Sequence, residues 1–452
     1  MPNKTTRRRF LARSSQSALL GTALLADTSL SRTAKGAIGA NEKIRMGWIG
    51  CGSRGRQLLR EFREQSDVQV IAGCDVNRPR LERFKKEAET NIDLYSDFRK
   101  LLERKDLDAV VVATNGHWHC LPTIHACQTG KDVYVEKPLA WSIGEGRMMV
   151  QAARKYDRIV MVGTQQRSMP HYQEAIDFIQ SGQLGAISEV RAWNLENLAP
   201  AGFGNPSDCD PPEGLDWDFW LGPAPKVPFN PNRLSRHYWF WDYGGGWQSE
   251  WAVHMNDVTH WAMGVKAPLS AAASGGNFAC KDNRELPDTL EVIFEYPDFI
   301  YLYTSRQGNC RFQEDACYGN AFYGENGTLF INRSQWWVAP QPPLSYNPYD
   351  SRQPFPKEGR MATVKKMGEP VGEPEKPRHP RVFLDAIKAH KRPPTADVEV
   401  GHHSSVPGHL ANISYRTGRK IHWDAEAERI KNDPEANKLL SREYRRPWVL
   451  EV

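Results

Sequence analysis

The spacing of apolar residues changes character partway along this chain. Between residues 43 and 164, short and largely apolar runs recur: the start of KIRMGWIGCGSRGRQLLREF (43–62), VQVIAGCD (68–75), DAVVVAT (108–114), KDVYVE (131–136) and RIVMVGT (158–164). Runs without alternation suit strands buried on both faces, and the amphipathic stretches between them suit covering helices. The pattern predicts a doubly wound parallel sheet, an α/β unit spanning residues 41–165. Farther on, TLEVIFEYP and FIYLYTSRQG read as strands, and YGENGTLFIN reads as a hairpin turning at Asn326-Gly327. A second α/β domain, residues 166–452, with a large and mostly antiparallel sheet is therefore expected. Ten prolines between 340 and 380 predict a long irregular connection within it.

One predicted helix, SEWAVHMNDVTHW (249–261), breaks the usual rule for a core-facing stripe. Glu250, His254, Asp257 and Trp261 are 4, 3 and 4 residues apart and so share one face. An acid, an imidazole, a second acid and an indole on one stripe point to chemistry rather than packing.

Composition adjusts this picture only modestly. With 452 residues and 40% apolar content the chain is globular and holds more than one domain. The net charge of +5 resides at the N-terminus, where seven cationic residues of 1–40 against Asp27 account for +6. The near-neutral remainder gives no electrostatic case for nucleic acid. Thr6–Ala12, TRRRFLA, resembles the twin-arginine export signal and precedes the apolar ALLGTALLA. Residues 1–40 are thus expected to engage the twin-arginine machinery and direct the protein to the periplasm. The apolar run is too short and interrupted to span a bilayer, and an uncleaved anchor is the alternative. Eight cysteines form no C-x-x-C pair, and Cys310 with Cys317 is the one bridge considered.

After the first strand come Gly50, Gly52 and Gly55, a G-x-G-x-x-G turn that also holds Ser53 and Arg54. Such a turn lets backbone N–H groups approach a pyrophosphate at a helix N-terminus. The next strand ends at Asp75, placed to accept from a ribose diol. That favours NAD, while Arg78 and Arg80 leave NADP open as the alternative. Thr114, Asn115, His119, Glu136, Lys137, Gln166 and Arg167 follow the later strands, at the end where such sheets bind ligands.

Taken together, Gly50 to Gly55, Asp75, Thr114 with His119, Glu136-Lys137-Pro138 and Gly244-Gly245-Gly246 leading to His254 and Asp257 resemble the glucose–fructose oxidoreductase/inositol dehydrogenase (Gfo/Idh/MocA) family. The resemblance runs from about residue 44 to 440. It implies a Rossmann domain, an α/β domain that shapes the substrate pocket, and a homo-oligomer, a dimer or tetramer. Segment 401–419 is expected to pack back on the Rossmann domain. Lys137 would lie beside the nicotinamide and substrate hydroxyl, with Pro138 cis and His254 facing it. Glu250 stands where the family usually has Asp, and Asn115 where it commonly has Pro. On this footing His254 is the expected general base, Glu250 its orienting acid, Lys137 the stabiliser of alkoxide and Asp257 a grip on a sugar hydroxyl. His119 and Arg167 are expected to line the cleft. Trp217, Trp220, Tyr238, Trp239, Trp241 and Tyr243 suit either sugar stacking or core packing. The paired histidines His117/His119 and His402/His403 lack a convincing metal-ligand set.

The expected function is an exported oxidoreductase moving hydride between a sugar, polyol or sugar derivative and a tightly bound nicotinamide cofactor. Glycoside cleavage through transient oxidation is the alternative. A non-catalytic sugar- or nucleotide-binding protein is a third reading, against which the glycines, Asp75, Lys137 and His254 argue.

Overall fold

The computed structural model describes residues 43–311, 316–356, 359–361, 364–367 and 378–452. The twin-arginine segment lies outside them. The N-terminal sheet has six parallel strands: β1 (Ile44–Ile49), β2 (Val68–Cys74), β3 (Asp93–Tyr95), β4 (Ala109–Val112), β5 (Asp132–Val135) and β6 (Val160–Val162). They lie in the order β3-β2-β1-β4-β5-β6. In β4, Val110 and Val112 enter one core while Ala109 and Val111 enter the other. That two-sided burial is why this sheet reads as largely apolar runs. The edge strand β3 is three residues long and partly exposed, so it carries no such run.

The second sheet holds β7 (Ile187–Leu195), β8 (Ser270–Gly276), β9 (Thr289–Glu295), β10 (Ile300–Arg306), β11 (Tyr318–Gly324), β12 (Gly327–Ile331), β13 (Gln335–Pro340), β14 (Val364–Met367), β15 (Ile421–Asp424) and β16 (Arg429–Ile430). Their order is β14-β13-β12-β11-β7-β10-β9-β8-β15-β16. Pairing is antiparallel except between β7 and β10. In β9, Leu290, Val292 and Phe294 are buried while Glu291 and Ile293 face outward, the alternation of a one-sided sheet. Its helices include Pro170–Gln180, Ala252–Met263 and Val398–Thr417. The β11–β12 turn is Glu325-Asn326, one residue earlier than expected, because Gly327 already pairs with Pro340.

The Rossmann core is not built from residues 41–165 alone. Phe383 and Leu384 of the helix Arg378–Ala389 are fully buried against Trp48, Phe62 and Tyr134. Beside β6, Val162 N donates to Ala396 O at 2.9 Å, and Gly401 lets the helix Val398–Thr417 lie on the Val162 side chain. The return onto the first domain thus begins before residue 401. A C-terminal strap then crosses the same domain. Arg442 donates to Glu145 (3.0 Å) and to the His117 carbonyl (2.9 Å), and Trp448 lies among Phe98, Trp118 and Phe219.

Candidate active site

The three glycines of the first turn do different work. Gly50 has φ +95°, and a Cβ there would stand 2.5 Å from the Ala113 carbonyl oxygen. A Cβ on Gly55 would fall 2.1 Å from the Gly50 carbonyl oxygen, so this glycine serves helix-to-strand packing. Gly52 needs neither: its φ is −69°, and the nearest atom to an added Cβ is Arg80 Nη1 at 3.9 Å. Its bare backbone opens onto the cleft instead. It precedes the helix Ser53–Arg63, whose N-terminus carries no side-chain cap. Open space, uncapped N–H groups and the helix dipole fit a dinucleotide pyrophosphate.

The surroundings extend that fit. Asp75 follows β2, its carboxylate accepting from the backbone N–H of Cys51 and of Asn77, each at 2.8 Å. Two fixed acceptor bonds aim the carboxylate and leave lone pairs for a diol. Burial raises its pKa, opposed by those bonds and by Arg80. The buried Thr114 Oγ1 has no partner. Beyond Asp75 lies a slot walled by Phe98, Trp118, Pro122, Phe219 and Trp220, flat and apolar enough for a purine base.

The main cleft, about 940 Å³, runs from Ser53 and Arg54 past Asn115 to Lys137, Glu250 and His254. Glu136 is tied on both oxygens: Oε1 accepts from Arg54 Nε at 2.7 Å and Oε2 from the Lys137 N–H at 3.2 Å. Gly163 makes room for it, since a Cβ there would stand 2.7 Å from Glu136 Oε1. Lys137, joined to Pro138 by a cis peptide, sends Nζ to the Glu250 carbonyl oxygen at 3.0 Å. Burial lowers the pKa of Lys137, while Glu250 and Glu136 oppose that fall.

The helix predicted over 249–261 is divided. One short turn, Trp247–Glu250, ends at Trp251, and a second helix, Ala252–Met263, follows. Glu250 and His254 face the cleft; Asp257 does not. Asp257 is 1% exposed, accepts from Arg167 Nε at 2.8 and 2.9 Å, and takes the Ser404 hydroxyl at 2.6 Å. Arg167 in turn lies over Trp261, 5.2 Å from the ring centroid. Half of the stripe is therefore a structural lock. The expected grip of Asp257 on a sugar and the cleft position of Arg167 both give way to it.

Other expectations shift as well. Glu250 Oε1 and His254 Nδ1 are both buried without a partner, so no hydrogen bond joins them and Glu250 does not orient the imidazole. Burial, opposed by Lys137, lifts the Glu250 carboxyl to about 7. Burial, reinforced by Lys137 and Arg333, pulls His254 well below its ordinary value, so the ring is neutral. His119 borders the cleft, but its ring nitrogens meet the Pro138 carbonyl (2.7 Å) and the Thr114 carbonyl (3.0 Å); it braces two strand ends. Gln166 turns inward to the Tyr172 hydroxyl, and its neighbour Gln165 borders the cleft. Trp220, Trp239 and Tyr243 are core, and Trp217 stacks on Trp220 at 4.5 Å. Tyr238 and Trp239 touch the cleft, together with Trp247 and Trp251. Cys310 and Cys317 are free thiols, and among the described residues no three metal-ligating side chains cluster. Sequence reasoning missed Glu196 and Arg333, which no motif marks and only the folded chain brings to the cleft; Gln165, Arg236 and Trp251, unnamed before, stand inside stretches already singled out, after β6, before the three glycines and within the predicted helix.

Fold and site define a two-domain dinucleotide-binding protein. Residues 44–164 match the oxidoreductase family with an NAD-binding Rossmann fold, and residues 187–272 and 361–450 match the α/β C-terminal domain of the same family. The chain belongs to the Gfo/Idh/MocA family of oxidoreductases. Among its relatives, the alpha-N-acetylgalactosaminidase of Shewanella oneidensis is 30% identical over 167 residues, 35% of this chain and 36% of that protein. The inositol 2-dehydrogenase/D-chiro-inositol 3-dehydrogenase of Lacticaseibacillus casei is 27% identical over 164 residues, 36% of this chain and 47% of that one. The matched region is thus less than half of either relative. Two solved structures share the fold. Levoglucosan dehydrogenase in complex with NADH and levoglucosan has a TM-score of 0.62 at 16% identity, covering 84% of this chain and 99% of the other. The WlbA dehydrogenase of Bordetella pertussis in complex with NADH and UDP-GlcNAcA has a TM-score of 0.60 at 20% identity, covering 85% and 99%.

Proposed function

We propose that this protein is an NAD(P)-dependent oxidoreductase acting on a CH–OH group of a sugar, polyol or sugar derivative. The observation that carries this reading is the meeting of Lys137, Glu250 and His254 beside the open turn at Gly52. The dehydrogenases of matching fold, bound to NADH with levoglucosan or UDP-GlcNAcA, support the ligand class.

Bound along the cleft, the nicotinamide would supply the hydride acceptor. Lys137 Nζ, steered by the Glu250 carbonyl, donates toward the substrate oxygen and stabilises negative charge there. The neutral His254 imidazole accepts the hydroxyl proton. Glu250 sets the charge beside Lys137: ionised, it holds the ammonium; protonated, it leaves Lys137 more acidic. Asp75 favours NAD over NADP.

A second reading, glycoside cleavage by transient oxidation, draws on the relatives named as glycosyl hydrolase family 109 proteins. Oxidation at one ring carbon acidifies its neighbour; loss of that proton expels the aglycone, water adds, and the carbonyl is reduced again. Glu250, titrating near neutrality, gives the site a further proton-handling group for such a sequence.

Export by the twin-arginine route belongs to this reading, because that route carries folded proteins with cofactor aboard. The strap behind the purine slot supports retention of the nucleotide, and outward-facing Ile293 and Ile300 on the second sheet support a homo-oligomer.

Denaturing the purified protein and identifying the released nucleotide by mass tests the core of the proposal; near one NAD(H) per chain is the expected result. Lys137→Met should then keep nucleotide and fold while abolishing hydride transfer, and unchanged turnover would overturn the mechanism. Aglycone release without net redox change would select the second reading.

A further inference from the structure

Arg333 stands at the tip of the turn between β12 and β13, and that turn is pinned. Asn332 Oδ1 accepts from the N–H groups of Ser334 (2.8 Å) and Gln335 (3.0 Å), and His171 Nε2 meets the Asn332 carbonyl at 3.0 Å. The guanidinium lies over Trp251, 4.9 Å from the ring centroid, in the same cleft wall as Glu250 and His254. Its Nε is buried and has no hydrogen-bond partner.

The charge around it is unbalanced. Of the carboxylates lining the cleft, Glu136 is held by Arg54 and Glu196 lies in the field of Arg236. Glu250 lies in the field of Lys137, while Arg333 forms no ion pair among the described residues and adds its positive charge to that of Lys137. A guanidinium fixed over an indole in the cleft wall, with no carboxylate partner of its own, is set to make charge-assisted N–H···O contacts with a carboxylate in the cleft.

We infer that the cleft is specific for a sugar acid, with Arg333 taking the substrate carboxylate. The inference rests on the function proposed above and narrows its substrate class.

The test is calorimetric titration of the nucleotide-loaded protein with D-glucuronate, D-glucose and glucose 6-phosphate, alongside turnover and released-nucleotide assays. Glucuronate should bind at least about tenfold more tightly than glucose, with affinity falling as salt rises. Arg333→Gln should weaken glucuronate binding by about 10- to 100-fold more than glucose binding, and Arg333→Lys should recover part of the loss. Equal affinity for acid and neutral sugar, or an equal loss of both in Arg333→Gln, overturns the inference. So does a preference for the sugar phosphate, or loss of nucleotide from Arg333→Gln, which would assign the guanidinium to the cofactor. If no sugar is turned over while the Arg333-dependent preference for the acid stands, the carboxylate site holds and the proposed redox function falls.

Discussion

A carboxyl group enclosed beside an ammonium is a pH-dependent element, and Glu250 is that group here. Its native pKa of about 7 lies above the ordinary carboxylate value of 4.5, so between those two pH values the folded protein binds more protons than the unfolded chain. Stability is therefore lost as pH rises through that window, by at most about 3 kcal/mol. Glu250→Gln removes this dependence, and its advantage in denaturant midpoint should grow from pH 4.5 to 7 and then level off. The same substitution should abolish the limb near pH 7 in the rate profile. His254 contributes no limb there, because its pKa sits well below 6.5. A second prediction separates two glycines. Gly55→Ala forces a Cβ into the Gly50 carbonyl and should cost several kcal/mol in a melting experiment. Gly52→Ala should leave stability within about 0.5 kcal/mol while weakening nucleotide binding, read by equilibrium titration. These glycines, Asp75, Lys137 and His254 were legible in the sequence because each has a fixed place relative to a strand end or turn. Arg333 was not, since only the folding of a distant hairpin brings it to the cleft.

At the level of elements, one interruption accounts for much of what the sequence left unread. Periodicity over 249–261 treats the segment as a single rod, but the break at Trp251 divides it into two helices. Glu250 and His254 still meet the cleft, while Asp257 faces Arg167 and Ser404. Asp257→Asn should destabilise the protein by roughly 3–5 kcal/mol, because it leaves a nearly buried guanidinium without its counter-charge. If Asp257 instead touched substrate, the change would raise KM and leave the melting temperature in place. Strands were easier to read. Two-sided burial in β1 and β4, and alternation in β9, leave different hydrophobic signatures, whereas the short edge strand β3 leaves almost none.

Across the whole molecule, the nucleotide half is held closed by distant parts of the chain. Phe98, Trp118 and Phe219 line the flat apolar slot beyond Asp75, and Trp448 packs against all three. Trp448→Ala should speed nucleotide dissociation on the order of tenfold, as truncating a buried indole costs several kcal/mol of packing; retention after gel filtration measures it. Both domain types were legible from the sequence, because parallel and antiparallel sheets differ in period. That residues 378–398 complete the first core was not, since contacts between such distant segments leave no local periodicity. This completion bears on how the protein is made. Strand β6 lies beside residues 396 and 401, and Phe383 fills the core beneath β1 and β5. A ribosome must therefore deliver almost the entire polypeptide before the first domain can close. Nascent chains ending near residue 170 should remain open to protease and gain protection only once residues 378–401 emerge.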